Sequence, residues 1–156
     1  MVSKSPPETM PVNRAVRPTD YPQLQQIQSM TLDEPVPSLL EAASNGTISA
    51  AVRELECGTE SVVVGYIILV PDTDSRTVHI PELAVHPDHQ RAGHGSALVE
   101  HACITMGEYD RLSLTVRKSD TTARQFYEAV GFEVIEKLPG YFESGDGLLL
   151  QKELTA

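Results

Sequence analysis

The stretch HPDHQRAGHG, residues 86–95, decides how the rest of the chain is interpreted. It follows the apolar segment IPELAV at 80–85 and precedes another, SALVEHACITM at 96–106. Gly93 and Gly95 remove side chains where a strand would end and a helix would begin, so a ligand can approach the backbone closely. A helix N-terminus adds unpaired N–H groups and a positive dipole end. The stretch therefore predicts an anion-binding loop, and phosphate is its natural ligand.

This loop differs from two familiar phosphate-binding motifs. A P-loop needs Gly-Lys-Ser/Thr, whereas Gly95 is followed by Ser96 and Ala97. The dinucleotide fingerprint needs a third glycine at position 98, which is Leu98 here, and it normally follows the first strand of a domain. Neither class of nucleotide-binding protein is therefore predicted.

The composition is that of an acidic globular protein. Its 156 residues are 40% hydrophobic and 22% charged, which fits one domain with a buried core. Twelve Lys and Arg residues against 22 Asp and Glu residues give a net charge of −10, which disfavours nucleic acid and anionic lipid as partners. A phosphorylated ligand would need a local basic site, and the candidate donors are Gln90, Arg91, His94, Arg117, Lys118 and Arg124.

Cysteine usage and the N-terminus suggest the cytoplasm. Cys57 and Cys103 are the only cysteines and form no CxxC pattern, so we expect two reduced thiols. The longest apolar run, VVVGYIILV at 62–70, is too short to span a membrane. Residues 1–10 lack the apolar core of a secretory signal and are expected to form a disordered leader. A single domain is expected over 11–156.

Hydrophobic periodicity predicts about seven strands and about four helices in the order β-α-α-β-β-β-α-β-α-β-β. This is an α+β arrangement around a mixed sheet. The strand within 76–87, a helix from Gly95 to about Gly107 and the strand 111–117 should form a crossover with parallel neighbouring strands. The first strand is expected at 12–18. Helix caps are expected at Thr19 or Asp20, at Ser38 and at Asp120, with Gly131 as a stop. The expected apolar helix faces are Leu24, Ile27 and Met30, then Leu98, Cys103 and Met106.

Two segments resemble motifs of the GNAT acetyltransferase superfamily. LAVHPDHQRAGHGSALVEHA at 83–102 is similar to its acetyl-CoA motif, Gln-Arg-x-Gly-x-Gly after a strand ending Leu-Ala-Val-x-Pro. LTVRKSDTTARQFYEAVGF at 114–132 is similar to its second motif, a strand followed by Asn-x-x-Ala-x-x-x-Tyr-x-x-x-Gly-Phe. The two motifs stand at the family's usual separation. The resemblance extends from about Val12 to the C-terminus and implies the family's single-domain fold.

The resemblance implies acetyl-CoA as co-substrate. The backbone of Leu83 and Val85 would pair with its pantetheine arm like an added strand, and the loop amides would hold its pyrophosphate. Asp120 stands where the family commonly has Asn. An ionised Asp accepts hydrogen bonds but cannot donate them, so a cofactor contact and a plain helix cap both stay open. The implied set is Leu83, Ala84, Val85, Gln90, Arg91, Ala92, Gly93, His94, Gly95, Ser96, Asp120, Ala123 and Phe126.

Tyr127 matches the family's frequent general acid. A leaving thiolate, with a thiol pKa of about 8.5, could take the proton of a tyrosine with a pKa of about 10. The alternative is a core tyrosine beside Phe126. Glu82 is the favoured base, His79 is next, and a water chain is the third possibility. Strand alternation puts Glu82 and His79 on opposite faces, unless a bulge at Pro81 changes the parity.

The sequence leaves more than one class of acceptor open. The ending PGYFESGDGLLLQKEL at 139–154 is similar to that of ribosomal-protein and protein N-terminal acetyltransferases, with Tyr141-Phe142 at the tyrosine loop. Thr115 replaces a glutamate that the ribosomal-protein enzymes carry. Polyamine, aminoglycoside and arylalkylamine acetyltransferases and a non-catalytic acyl-CoA-binding module therefore stay open. The acidic surface suits a cationic amine, and we expect a monomer or homodimer. No metal is expected, because the spacing of His86, His89, His94 and His101 fits no zinc motif.

Overall fold

The computed structural model describes residues 10–32 and 35–154. The strands are β1 Met10–Ala15, β2 Ser49–Cys57, β3 Glu60–Asp72, β4 Thr77–Val85, β5 Arg111–Arg117, β6 Glu133–Phe142 and β7 Gly145–Glu153. The α-helices are α1 Tyr21–Thr31, α2 Pro37–Ser44, α3 His94–Thr105 and α4 Thr121–Ala129. Short 3-10 turns lie at Pro18–Asp20 and Pro87–His89.

The strands form one mixed sheet in the order β1-β2-β3-β4-β5-β7-β6. Strands β4 and β5 are parallel, with Thr77 opposite Arg111. The pairs β1–β2, β5–β7 and β6–β7 are antiparallel. The predicted α+β class, the element order and the parallel β-α-β neighbours are therefore confirmed.

The chain divides into two compact units. The first comprises Met1–Ile68 with Glu82–Leu98, and the second comprises Leu69–Pro81 with Val99–Ala156. The single domain over 11–156 stays a prediction. The leader expected at 1–10 lies outside the described residues except for Met10, and Met10 already belongs to β1.

An ion-pair network joins β1, β2 and the turn before α1 in the first unit. Arg14 Nη1 and Nη2 donate to the Asp20 carboxylate at 2.8 and 2.9 Å, and Nη2 also donates to Glu54 Oε2 at 2.7 Å. The three side chains are 16%, 7% and 11% exposed. Hydrogen bonding to Asp20 raises the pKa of Arg14 despite the opposing effect of burial. The network fixes where α1 begins, with the predicted Asp20 as its N-cap residue.

Helix α1 buries a polar residue that the apolar pattern did not indicate. Leu24 and Ile27 are buried as predicted, but Met30 is 50% exposed. Gln28 is buried in place of Met30 because its amide donates to the carboxylate of Glu82.

Two predicted boundaries in the first unit are wrong. Helix α2 begins at Pro37, and its N-cap Val36 lies two residues before the predicted Ser38 cap. Proline at the first helical position presets φ and lacks only an N–H that would have no partner there. Strand β1 occupies 10–15 instead of 12–18, because its register with β2 starts at Met10 opposite Glu56 and Pro18 begins a turn.

Helix α3 begins at His94, one residue earlier than predicted. Leu98 is fully buried as expected, whereas Cys103 and Met106 are only half-buried. The buried positions that follow Leu98 are Val99 and Ala102, which lie one and four residues further along the helix. The predicted face was therefore wrong at its C-terminal half.

Helix α4 of the second unit follows its predicted signals. The Asp120 carboxylate accepts a hydrogen bond from the Ala123 amide at 3.0 Å, as an N-cap does. Gly131 has φ +101°, the left-handed conformation of a C-terminal stop. Phe132 follows and is buried. Both ends of α4 are thus set by the residues that the sequence indicated.

Candidate active site

The loop between β4 and α3 has an open, partly left-handed backbone. Arg91 has φ +63° and Gly93 has φ +84°. A Cβ added at Gly93 would meet nothing within 4 Å, so the space beside this backbone is free. The amides of His94, Gly95 and Ser96 begin α3 and have no preceding helical carbonyl to bond. This arrangement can bind an anion through backbone N–H groups.

Side chains hold the loop against the end of β4. Gln90 Nε2 donates to the carbonyl of Val85 at 3.0 Å, so this predicted ligand donor is bonded to the loop's own backbone. The amide of His86 donates to the carbonyl of Val64 on β3 at 2.7 Å. The Asp88 amide donates to His86 Nδ1 at 3.1 Å. These hydrogen bonds therefore hold the start of the loop against β3 and β4.

Two residues that the sequence analysis missed contact the start of α3. Arg53 Nε donates to Nδ1 of His94 at 3.2 Å, and Arg53 Nη1 donates to Oδ1 of Asn13 at 3.2 Å. Asn13 Nδ2 donates to the carbonyl of Ala97 at 3.4 Å. Both residues lie on the β1–β2 pair, far from the loop in sequence. The sequence signal would have been a polar residue on each of two paired strands, which is not specific.

Burial along β4 alternates without interruption at Pro81. Ile80, Glu82 and Ala84 are buried, while His79 and Pro81 are exposed. Glu82 and His79 therefore face opposite sides of the strand, as the alternation predicts. The structure does not bring the two candidate bases together.

Glu82 lies in a buried hydrogen-bond network of the first unit. Glu82 is 5% exposed. Its carboxylate accepts bonds from Gln28 Nε2 at 2.9 and 3.2 Å, Tyr66 Oη at 2.9 Å and the Val36 amide at 3.2 Å. Burial raises the pKa of Tyr66 well above its usual range, and the charge of Glu82 raises it further. Tyr66 is therefore a protonated donor at neutral pH. No motif pointed to Gln28, Val36 or Tyr66.

Helix α4 places three predicted residues on one face. Ala123, Phe126 and Tyr127 are spaced three and four residues apart and are all half-buried. The Tyr127 ring makes edge contacts with Phe126 and Phe132, with centroids 5.0 and 5.4 Å apart. Burial raises the pKa of Tyr127 above its usual range, and the nearby charge of Asp120 adds to the increase. The phenol is therefore protonated at neutral pH.

The predicted basic cluster lies beside the turn between β6 and β7. A cavity of about 390 Å³ is lined by Lys118, Ser119, Arg124, Ser144, Gly145 and Asp146. Arg124 Nη1 donates to the Lys118 carbonyl at 2.9 Å. Arg117 Nε donates to Ser144 Oγ at 2.7 Å, and its guanidinium lies 5.1 Å from the Phe142 ring centroid. The cluster is thus connected to the Tyr141-Phe142 segment.

Neither a metal cluster nor a membrane-spanning helix occurs in the described residues. Residues 10–32 and 35–154 contain no group of three or more His, Cys, Asp or Glu side chains arranged to hold a metal ion. No helix in the part of the chain that the structure describes has the length and apolar character needed to cross a bilayer.

Known proteins with a similar sequence or fold are acetyltransferases. The sequence model described as the Acetyltransferase (GNAT) family matches residues 12–132. N-alpha-acetyltransferase 50 of Danio rerio is 31% identical over 89 residues, which are 53% of this chain and 53% of that protein. The chain thus spans about half the length of this curated relative.

Two solved structures share the fold over nearly the whole chain. Ard1 from Thermoplasma volcanium has a TM-score of 0.79 at 24% identity, covering 94% of this chain and 99% of that one. The ribosomal-protein-S18-alanine N-acetyltransferase from Escherichia coli has a TM-score of 0.78 at 21% identity, covering 94% and 96%. Because the family match extends over residues 12–132 and the fold agrees with these structures, the chain belongs to the acetyltransferase (GNAT) family.

Proposed function

We propose that this protein is an N-acetyltransferase that moves the acetyl group of acetyl-CoA to a primary amine. The observation that carries the proposal is the loop after β4, where Arg91 and Gly93 adopt left-handed backbone and an added Cβ at Gly93 meets only open space. Its residues lie within the segment that matches the family. In this reaction the amine nitrogen bonds to the acetyl carbon, the carbon–sulfur bond breaks, and coenzyme A leaves as a thiolate.

The binding roles follow the family's motifs residue by residue. The backbone of Leu83 and Val85 pairs with the pantetheine arm, and the amides between Arg91 and Ser96 hold the pyrophosphate. The Asp120 carboxylate is already bonded to the Ala123 amide. We therefore propose that Asp120 acts on Tyr127 through its charge and on α4 as its cap.

We propose Tyr127 as the donor to the leaving thiolate. Burial and Asp120 keep its phenol protonated, so a proton is present at the hydroxyl throughout the neutral pH range. A phenol with a raised pKa gives up its proton less readily than a free one. Its main contribution is therefore a hydrogen bond that stabilises negative charge on the sulfur. The phenol proton moves to the sulfur as the carbon–sulfur bond breaks.

We propose that Glu82 is the base and that Tyr66 passes it the proton of the attacking amine. The donors to the Glu82 carboxylate are an amide side chain, a backbone amide and a hydroxyl. Of these, only the hydroxyl oxygen has lone pairs able to accept a proton while it gives its own to the carboxylate. His79, exposed on the opposite face, is the second candidate, and a water chain is the third.

Three variants separate these candidates for the base. Glu82→Gln and Tyr66→Phe should each lower kcat by about 10²-fold or more. His79→Ala should leave kcat unchanged. A normal kcat in Glu82→Gln beside a comparable loss in His79→Ala would transfer the role to His79.

We propose a protein or peptide N-terminus as the acceptor. The Danio rerio relative is named an N-alpha-acetyltransferase, and Tyr141 at the end of β6 is 56% exposed beside Phe142. Acetylation of short peptides with free N-termini, compared with polyamines, aminoglycosides and arylalkylamines, tests this choice. Turnover of a small amine alone would favour the small-amine alternative. Binding of acetyl-CoA without turnover of any acceptor would favour a non-catalytic acyl-CoA-binding module.

A matched pair of glycine variants tests the loop directly. Gly93 and Gly58 both have positive φ, +84° and +63°, and open space where a Cβ would stand. Gly93→Val and Gly58→Val thus impose similar backbone strain, but only Gly93 lies in the proposed pyrophosphate site. Calorimetric titration should show acetyl-CoA binding lost in Gly93→Val and kept in Gly58→Val. Equal affinity in the two folded variants would contradict the proposed site.

We further propose that the protein works in the cytoplasm, as a monomer or homodimer, without a metal. Cys57 and Cys103 are both free thiols, which suits a reducing compartment.

A further inference from the structure

The guanidinium of Arg53 connects the β1–β2 pair to the first turn of α3. Asn13 and Arg53 lie directly opposite each other in the β1–β2 register. Arg53 Nε donates to His94 Nδ1 at 3.2 Å and its Nη1 donates to Asn13 Oδ1 at 3.2 Å. Asn13 completes the connection by donating to the Ala97 carbonyl at 3.4 Å. The two contacts on α3 therefore flank Gly95 and Ser96, whose amides have no preceding helical carbonyl to bond.

The Arg53 bond fixes the protonation state of His94. A guanidinium has only donors, so Nδ1 of His94 must be the acceptor and carries no proton. The proton of the neutral imidazole is then on Nε2. His94 is 9% exposed, and burial, Arg53 and His89 all lower its pKa below 6.5. His94 therefore stays neutral through the neutral pH range.

Two charged or titratable side chains face His94. Arg53 on β2 is one, and His89 in the turn before the loop is the other, with its ring centroid 6.4 Å away. The ring of His86 lies beside that of His89, with the two centroids 5.8 Å apart. Asn13 on β1, which accepts from Arg53, is uncharged. A proton on His94 would remove the acceptor of Arg53 and place two cations side by side. Acidification is thus expected to break the bond between Arg53 and His94.

We propose that Arg53, with Asn13, is a positioning residue for the acetyl-CoA loop. It holds the first turn of α3 so that the Gly95 and Ser96 amides point to one place, and it keeps His94 in the Nε2–H tautomer. Arg53 also brings a positive charge to the loop in a protein whose net charge is −10. This inference rests on the proposed function, because it assigns a role toward the pyrophosphate of acetyl-CoA.

The first test compares Arg53→Met with two other variants. Met keeps an unbranched chain but removes the charge and all donors. The KM for acetyl-CoA should rise by about tenfold or more, as expected for a lost bond from a charged donor, while kcat stays within about twofold. Arg53→Lys should recover part of the affinity. Arg111→Met is the control, because Arg111 lies on β5 and makes a 3.4 Å ion pair with the exposed Glu153.

A second test asks whether Arg53 acts through His94. His94→Leu removes the acceptor, and the double variant Arg53→Met with His94→Leu should bind acetyl-CoA no more weakly than the worse single variant. Nitrogen-15 NMR of the parent protein at pH 7 should show His94 neutral, with its proton on Nε2. In Arg53→Met the tautomer preference should be reduced.

The outcomes separate this inference from the proposed function. A parent protein that does not bind acetyl-CoA overturns the proposed function itself. A parent that binds it, beside a folded Arg53→Met variant of unchanged affinity, overturns only the positioning role. A fall in kcat and melting temperature without a rise in KM would make Arg53 purely structural. A His94 proton found on Nδ1 would contradict the assigned hydrogen bond.

Discussion

Removal of the Tyr127 hydroxyl tests whether Tyr127 donates to the leaving thiolate. Tyr127→Phe keeps the ring and its edge contacts with Phe126 and Phe132. We expect kcat to fall by about 10²–10⁴-fold, the range of general acid catalysis, with little change in acetyl-CoA affinity. Steady-state kinetics and calorimetry measure the two quantities. A rate within about threefold of the parent would make Tyr127 a packing residue.

Asp120 offers a second residue-scale test, because its charge and its cap can be separated. Asp120→Asn keeps an oxygen that can accept from the Ala123 amide but removes the negative charge that helps to raise the pKa of Tyr127. The pKa of Tyr127 should therefore fall toward 10. Ultraviolet titration of tyrosinate in Asp120→Asn, with Tyr127→Phe to identify the signal, measures the change. An unchanged titration curve would mean that burial alone sets the pKa.

For individual residues, the sequence predicted those that lie in motifs but not their hydrogen-bond partners. Tyr127, Asp120 and the glycines of the loop stand at fixed spacings from one another. Gln28 and Tyr66 reach Glu82 across separations of 54 and 16 residues, and polar residues of these types occur throughout the chain. Their partners depend on strand register and helix placement, which no local pattern specifies.

Gly65 on β3 shows how closely the elements pack near the loop. A Cβ at this position would lie 2.9 Å from the Ala84 carbonyl oxygen and 3.3 Å from side-chain atoms of Leu98 and Val85. Because backbone must move to make room, Gly65→Ala should lower the free energy of unfolding by about 1–3 kcal/mol. Denaturant unfolding of the purified variant measures it.

Gly107, just after α3, is the matched control for Gly65. Its added Cβ would be 3.4 Å from the Cys103 carbonyl, an ordinary contact. Gly107→Ala should therefore change stability by less than about 1 kcal/mol, by restricting the unfolded chain. Equal destabilisation by the two alanines would contradict close packing at Gly65.

Elements were predictable where local chemistry sets their ends. Helix α4 begins at the Asp120 cap and stops at Gly131, and both signals are in the sequence. The start of α2 and the buried face of α3 were misplaced, because tertiary contacts decide between neighbouring positions. Gln28 replaces Met30 in the interior for the same reason: the carboxylate of Glu82 needs a donor there.

For the whole molecule, acid stability should depend on Asp20. Burial alone would raise the pKa of Asp20, but bonds from Arg14 and the Arg17 amide lower it below its usual 3.8. A lowered folded-state pKa contributes stability above the unfolded value of about 3.9, and this contribution is lost as pH falls through the folded value. Asp20→Asn should cost about 3 kcal/mol at pH 7.

The Asp20 variant should also change the shape of the stability curve. The cost of Asp20→Asn should shrink as the pH is lowered below about 4, because the parent then loses the same charge. Unfolding free energies of both proteins at a series of pH values test this. A constant difference at every pH would show that packing of the side chain, and not its ionisation, carries the effect.

Net charge leads to a prediction about the acceptor. The excess of acidic residues, 22 against 12 basic ones, favours approach of a cationic amine. The KM of a cationic acceptor should rise with added salt, since exposed charges more than about 10 Å apart are screened at 0.1 M. A neutral acceptor of similar size is the control. Equal salt dependence for both would show that surface charge does not attract the acceptor.

Release of coenzyme A thiol measures most directly whether the protein transfers an acetyl group from acetyl-CoA to a primary amine. The parent protein should release thiol only when an amine or peptide acceptor is present, in step with one acetylated product per thiol by mass spectrometry. The rate should climb between about pH 6 and 9 as the amine loses its proton. Tight binding of acetyl-CoA with no acceptor-dependent thiol release across the peptide and amine panel would contradict acetyl transfer by this protein.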